Sequence, residues 1–312
     1  MDETSSLDTY LYDRESRPRL EAARATPPDT AGRDVRVPAL DGRELAGTLF
    51  EPERAGPRRL VVVASATGVK RGYYARFAFW LARRGYTALT LDYRGIGGSR
   101  DGRAAESTAA MHEWGELDLA GALSWATGSF GVRRAAIVGH SVGGQLLGMV
   151  PAPDRVSAVV TVGSQSGEVW LWPTLARWRM ALLMYGAIPG VTRAVGYLPG
   201  ALGVGEDLPP GVALEWARWC RTPGYLVADG GEVRKAAYAR LTAPLLAFGF
   251  DDDPYAPPEA IDALLGFYPN ARRQRRQVSR AEAKVGHFGF FRDRFRATLW
   301  EEAERFLAEH SG

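Results

Sequence analysis

The stretch AAIVGHSVGGQL, Ala135 to Leu146, runs from an apolar segment through a Gly-His-Ser-Val-Gly turn into a second apolar segment with helical spacing. A continuous apolar run of this length reads as a buried strand, and the residues after the turn read as a helix. Gly139, Gly143 and Gly144 allow a tight turn, in which Ser141 takes a strained backbone conformation that pushes its hydroxyl out above the carboxyl end of a sheet. Such a turn can serve packing or chemistry, and the rest of the chain decides between them.

The neighbouring segments repeat the alternation. DVRVPAL and ELAGTLFEP flank DGRE and predict an antiparallel hairpin closed by a tight two-residue turn. RRLVVVASA is a buried strand, RGYYARFAFWLARR (71–84) a helix ended by Gly85, and YTALTLDYRG the next strand. STAAMHEWGELDLAGALSWAT is an amphipathic helix, and RVSAVVTVGS, APLLAFGF and RQRRQVS supply further strands. Buried strands alternating with helices imply the α/β class: a mostly parallel eight-stranded sheet, antiparallel at one edge, with helices on both faces.

The domain plan expected is a polar leader over residues 1–33, a core over 34–164 and 241–312, and an inserted helical cap over 165–240. The cap segment carries Trp170, Trp172, Trp178, Trp216 and Trp219 on helical patterns. Most of them are expected to fill the core of the cap, with one or two left for a substrate pocket.

The chain has 312 residues, 46% hydrophobic and 24% charged, which is ordinary for a folded soluble protein. A net charge of +3 does not describe a nucleic-acid binder, and the Arg-rich ARRQRRQ (271–277) reads as a solvated sheet edge. The single Cys220 excludes an intramolecular disulfide and reads as a buried, inert thiol. No charged-then-apolar leader and no apolar run of about 18 residues is present, so a soluble, cytoplasmic protein without a transmembrane segment is expected.

A serine hydroxyl needs a base to become a nucleophile, and the chain has four histidines: His112, His140, His287 and His310. His140 is the variable residue of the turn, His112 sits on an early helix and His310 is close to the end. His287, in the glycine-flanked loop KVGHFGFF after the last strand, is the candidate base. The orienting acid is expected after the strand that follows the cap, where Asp251, Asp252 and Asp253 stand together. Asp253 is preferred and Asp252 is the alternative, the others serving turn and capping roles.

With Ser141, Asp253 and His287 in that order, the chain resembles the α/β-hydrolase superfamily, and within it the serine aminopeptidase or monoacylglycerol-lipase-like branch. YTALTLDYRGIGGSR (86–100), GHSVGG (139–144), FDDDPYAPP (250–258) and VGHFGFF (285–291) carry the resemblance, which spans about residues 34–310. It implies a Ser-His-Asp hydrolase working through an acyl-enzyme on a small-molecule ester, or on a thioester or amide, with no metal or organic cofactor. It also implies an oxyanion hole from the backbone N–H groups of Val69 and Val142. The usual His-Gly pair after the third strand is replaced here by Thr67-Gly68. Acyl transfer through the same triad, and a non-catalytic ligand-binding protein of the same fold, are the rival readings.

Overall fold

The computed structural model describes residues 32–310 apart from 55 and 57. The polar leader therefore lies outside the described residues except at its end, where Arg33 already belongs to the first strand. Eight strands follow in chain order: β1 (Arg33–Pro38), β2 (Glu44–Phe50), β3 (Arg59–Ala64), β4 (Tyr86–Leu91), β5 (Ala135–His140), β6 (Val156–Val162), β7 (Leu245–Phe250) and β8 (Arg273–Val278). They form one sheet in the order β1-β2-β4-β3-β5-β6-β7-β8. β1 and β2 are antiparallel to their neighbours, and the pairs from β4 to β8 are parallel. The α/β fold read from the alternation is thus the fold found.

The first hairpin differs in its turn. Pro38 pairs with Glu44, so five residues, 39–43, make the connection rather than two. Asp-Gly still supplies the positive φ, at Gly42 (φ 83°), but inside a wider loop closed by the Ala39 N–H donating to Arg43 O.

Period-two alternation divides the core in two. Val61, Val63, Ala136, Val138 and Val160 face α1 (Ala75–Ala82) and the C-terminal helix, where Phe77, Leu81, Trp300 and Leu307 pack. Leu60, Val62, Ala64 and Ile137 face the other way, against α2 (Ala120–Phe130). The chain enters α2 through one π-helical stretch, Trp114–Leu119, which places Asp118 inside the core. There the Arg94 backbone N–H and Nε both donate to Asp118, and the Arg94 guanidinium also reaches Asp41 and Glu113. The buried carboxylate is satisfied by these bonds from Arg94.

After β5 comes the short α3 (Val142–Gln145), which passes into a 3-10 turn, Leu146–Met149, so the helix read after the Gly-His-Ser-Val-Gly turn is one α turn followed by a tighter one. Between β6 and β7 the chain is helical: α4 (Thr174–Ala181), a π-helical stretch (Leu182–Ala187), α5 (Ile188–Val195), α6 (Pro210–Arg221), α7 (Tyr225–Asp229) and α8 (Gly231–Ala239). α9 (Pro258–Gly266) follows β7, α10 (Gly286–Gly289) follows β8, and α11 (Glu301–His310) ends the described chain. No helix among the described residues is long and apolar enough to cross a membrane.

The tryptophans of the β6–β7 segment do not behave as one core. Trp219 is fully buried and Trp172 nearly so, whereas Trp178 is 62% exposed and Trp170 also faces solvent. The helical period brings Trp178 to the outer face of α4, while Met180, two residues on and so on the opposite face, lines an interior cavity.

One ion pair ties α6 to the helical entry of α2. His112 Nδ1 lies 2.9 Å from Glu215 Oε2, and the His112 backbone N–H donates to the same oxygen. The hydrogen bond to Glu215 raises the His112 pKa above its ordinary value, against the opposing effect of burial. Burial would raise Glu215, but the bonds from His112 outweigh it and hold the carboxyl below its ordinary value. A raised histidine stabilises the fold below its unfolded pKa of about 6.5 and loses that contribution as pH rises through the folded value. The stability difference between wild type and Glu215→Gln, measured by urea unfolding, is therefore expected to be largest near pH 6 and to shrink toward alkaline pH. A difference that grew with pH would contradict the pairing.

Candidate active site

Ser141 stands between β5 and α3 at φ 51° and ψ −116°. Among the described residues it shares positive φ with just one other non-glycine, Tyr225. The surrounding glycines are there because backbone passes close by. A Cβ on Gly139 would lie 2.6 Å from Gly144 N, one on Gly143 would lie 2.2 Å from Ala64 O, and one on Gly144 would meet Ser164 Oγ at 2.3 Å. The Ser141 N–H donates to Val162 O at 2.9 Å, which pins the apex to the end of β6.

His287 enters on α10, the single helical turn between β8 and α11. Its Nδ1 is 2.7 Å from Asp253 Oδ2. Since a carboxylate can only accept, Nδ1 carries the proton and Nε2 is left with a lone pair. The other oxygen of Asp253 accepts the backbone N–H groups of Tyr255 (2.8 Å) and Ala256 (3.2 Å), so the carboxylate is held at both ends. The structure thus sets Asp253, rather than Asp252, against His287. Asp252 accepts the Gly286 N–H at 2.9 Å and orients the histidine loop, while Asp251 accepts from Gln277 on the sheet edge.

Ser141 and His287 line one cavity of about 1220 Å³, and Asp253 lies behind His287, 6% exposed. Val69, Tyr73, Trp172, Met184, Ile188 and Trp216 are among its walls, so the apolar side comes chiefly from the segment between β6 and β7. Cys220 also borders the cavity, but burial pushes its thiol far up, in keeping with an inert side chain. Among the described residues no group of three or more His, Cys, Asp or Glu converges as a metal site.

The two backbone donors named from the sequence differ in their surroundings. Val142 is the first residue of α3, so its N–H is one of those a helix leaves without an intrahelical partner. The Val69 N–H is engaged with Ala66 O at 3.1 Å, in a four-residue turn whose third residue, Gly68, has φ 66°. Arg71 does not enter the site as a free cation: its guanidinium and backbone N–H both bind Asp92.

The sequence reading missed His140. Its side chain is fully buried and bridges two loops: Nε2 donates to His287 O at 3.0 Å, and Nδ1 accepts from Tyr74 Oη at 2.9 Å. The Tyr74 hydroxyl in turn accepts the Ala66 N–H at 2.8 Å. Burial, with the nearby His287 as a lesser cause, lowers the His140 pKa well below its ordinary value, so the ring is neutral and suited to one donor and one acceptor contact. Tyr73 adds another tether by donating its hydroxyl to Phe288 O. The spacing of His140 before Ser141 gave no hint of these partners, because both are distant in sequence.

The sequence model for the alpha/beta hydrolase fold matches residues 61–185. No curated protein sequence matches the chain. Similar solved structures include a soluble variant of monoglyceride lipase from Saccharomyces cerevisiae in complex with a substrate analogue, at 14% identity and a TM-score of 0.64, covering 93% of this chain and 98% of that one. The monoacylglycerol lipase of Paleococcus ferrophilus is similar at 18% identity and a TM-score of 0.58, covering 86% and 99%. An esterase from Exiguobacterium antarcticum matches at 16% identity and a TM-score of 0.58, covering 88% and 100%.

Tyr74→Phe removes the hydroxyl that serves Ala66 and His140 together and leaves both buried groups without their partner. A loss of about 1–3 kcal/mol is expected from one such unsatisfied group. Chemical denaturation of the variant checks this, and an unchanged unfolding midpoint would refute the bridging role.

Proposed function

For a chain with the α/β-hydrolase fold, we propose that the site is that of a serine hydrolase which cleaves a carboxylic ester through an acyl-enzyme on Ser141. The observation that carries this reading is the 2.7 Å contact of His287 Nδ1 with Asp253, on the wall of the same cavity that receives Ser141 at its strained turn. His287 Nε2 takes the Ser141 proton as Oγ attacks the acyl carbon, and Asp253 stabilises the imidazolium that forms. Collapse of the tetrahedral adduct passes that proton to the leaving alcohol. Water, activated by the same nitrogen, then releases the acid and frees Ser141.

The developing oxyanion is met by the Val142 N–H, with Val69 as the second donor in a bond shared with Ala66 O. Residues 165–240 act as a cap over this site, and their apolar walls, among them Met184, Ile188 and Trp216, receive the acyl portion of a small-molecule ester. Such an arrangement needs no metal or organic cofactor, because both charge changes of the reaction are met by fixed groups of the chain.

A fluorophosphonate probe tests the reading. It is expected to label Ser141 in the wild type, and His287→Ala is expected to abolish labelling while leaving the fold intact. Asp253→Asn is expected to lower kcat on aryl esters by about 10⁴-fold, since it removes the acceptor that fixes the tautomer. Folded wild-type protein that neither labels nor turns over a panel of aryl esters would leave only a ligand-binding role. Partitioning of the acyl group to an added alcohol in preference to water would identify a transferase.

A further inference from the structure

Residues 203–207 lie directly on the turn that carries Val69. Leu198 and Leu208 exchange both backbone hydrogen bonds, at 3.1 and 2.9 Å, and so close the base of a loop. From its tip the Glu206 N–H donates to Gly68 O at 2.8 Å. The approach is possible only between glycines: a Cβ on Gly68 would stand 2.0 Å from Val204 O, and one on Gly205 would stand 2.3 Å from Gly68 O. Gly205 also has φ 93°, a conformation that side chains disfavour. The loop is pinned at its sides as well. Glu206 pairs with Lys70 at 3.2 Å and with Arg100 at 3.7 Å, and Arg100 donates to Asp207 O at 2.8 Å.

The contact acts on one peptide plane. Gly68 C=O and Val69 N–H belong to the same peptide unit, which is planar and trans, so they point in opposite directions and cannot rotate independently. Whatever holds Gly68 O therefore sets the direction of the Val69 N–H. We propose that Gly203–Asp207 is a positioning strap, through which the segment between β6 and β7 orients the oxyanion donor of Val69. The proposal rests on the serine hydrolase reading above. Val204, Gly205 and Glu206 also line the cavity, so a substrate that fills it touches the strap that aims the donor. This gives the cap a part in the chemical step as well as in binding. It also accounts for the tolerance of Thr67-Gly68 where a His-Gly pair was expected: the glycine is what the strap requires, and the position before it is not.

Gly205→Ala tests the strap by driving a methyl group against Gly68 O, and Glu206→Pro tests it by deleting the N–H that holds that oxygen. Near-UV circular dichroism and thermal melting establish that each variant is folded, and if one fails to fold the other decides. Each folded variant is expected to lose about tenfold or more in kcat on an aryl ester with KM within about threefold, since loss of a whole donor costs about 10²–10³-fold. Binding of a trifluoromethyl ketone, which forms an oxyanion on Ser141, should weaken by the same factor. Binding of the corresponding alcohol, which cannot form one, should not change. A folded variant with wild-type kcat, or with its loss confined to KM, overturns the strap. Failure of the underlying reading looks different, because the wild type itself would then neither label with a fluorophosphonate nor turn over ester.

Discussion

The backbone of Ser141 is held at a positive φ that an L-residue avoids, at a cost of order 1–3 kcal/mol, and the carboxyl end of the sheet is organised around keeping it there. β5 can turn into α3 at that point only because Gly143 lies against Ala64 at the end of β3 and Gly144 against Ser164 beyond β6. The three strands at the centre of the sheet are thus locked to one another by the same turn that presents the hydroxyl. The opposite end of α3 is secured as well, since the hydroxyls of Tyr238 and Tyr268 donate to Gln145 O at 2.5 and 3.2 Å. With both ends fixed, the single turn of helix has no freedom to relieve the strain at Ser141, the residue just before it.

The histidine loop is held with similar redundancy but by side chains. Asp252 takes the Gly286 N–H, Asp253 takes the imidazole, His140 reaches His287 O and Tyr73 reaches Phe288 O. The anchors come from three separate places, the turn after β7, the end of β5 and the 3-10 turn before α1, so the segment around the single-turn α10 is held from several sides. Because α3 spans only four residues, its macrodipole is small, and a negative charge at the site would be met by individual N–H groups rather than by a long helix.

The fold was legible because buried parallel strands leave long apolar runs, and the strands followed them closely. The meeting of the candidate residues Ser141, Asp253 and His287 was legible for a related reason: each follows a readable strand, so chain order was enough to place them at one edge, where His287 contacts Asp253 and shares a cavity with Ser141. What escaped depends on contacts between distant residues. The His140 bridge to Tyr74 and His287 joins positions 66 and 147 residues apart, and no local pattern encodes it. The strap on Gly68 is likewise a meeting of two glycine-containing loops that the sequence separates by more than a hundred residues. The exposure of Trp178 was missed because composition suggested an aromatic core, whereas the helical phase of α4 turns that ring outward.

β8 carries its arginines for a reason that concerns the sheet's outer rim. Arg275 pairs with Asp262, and Arg276 with Glu282 and Glu302, so the last strand is fringed by fixed charges instead of a bare apolar border. At the opposite rim β1 sets Arg33 against Glu51 and Asp34 against Arg71. A strand from another molecule that approached either rim would have to strip water from these ions before it could pair. The two open ends of the sheet are therefore protected against strand addition, which lets a single wide sheet stay unclosed without becoming a template for aggregation.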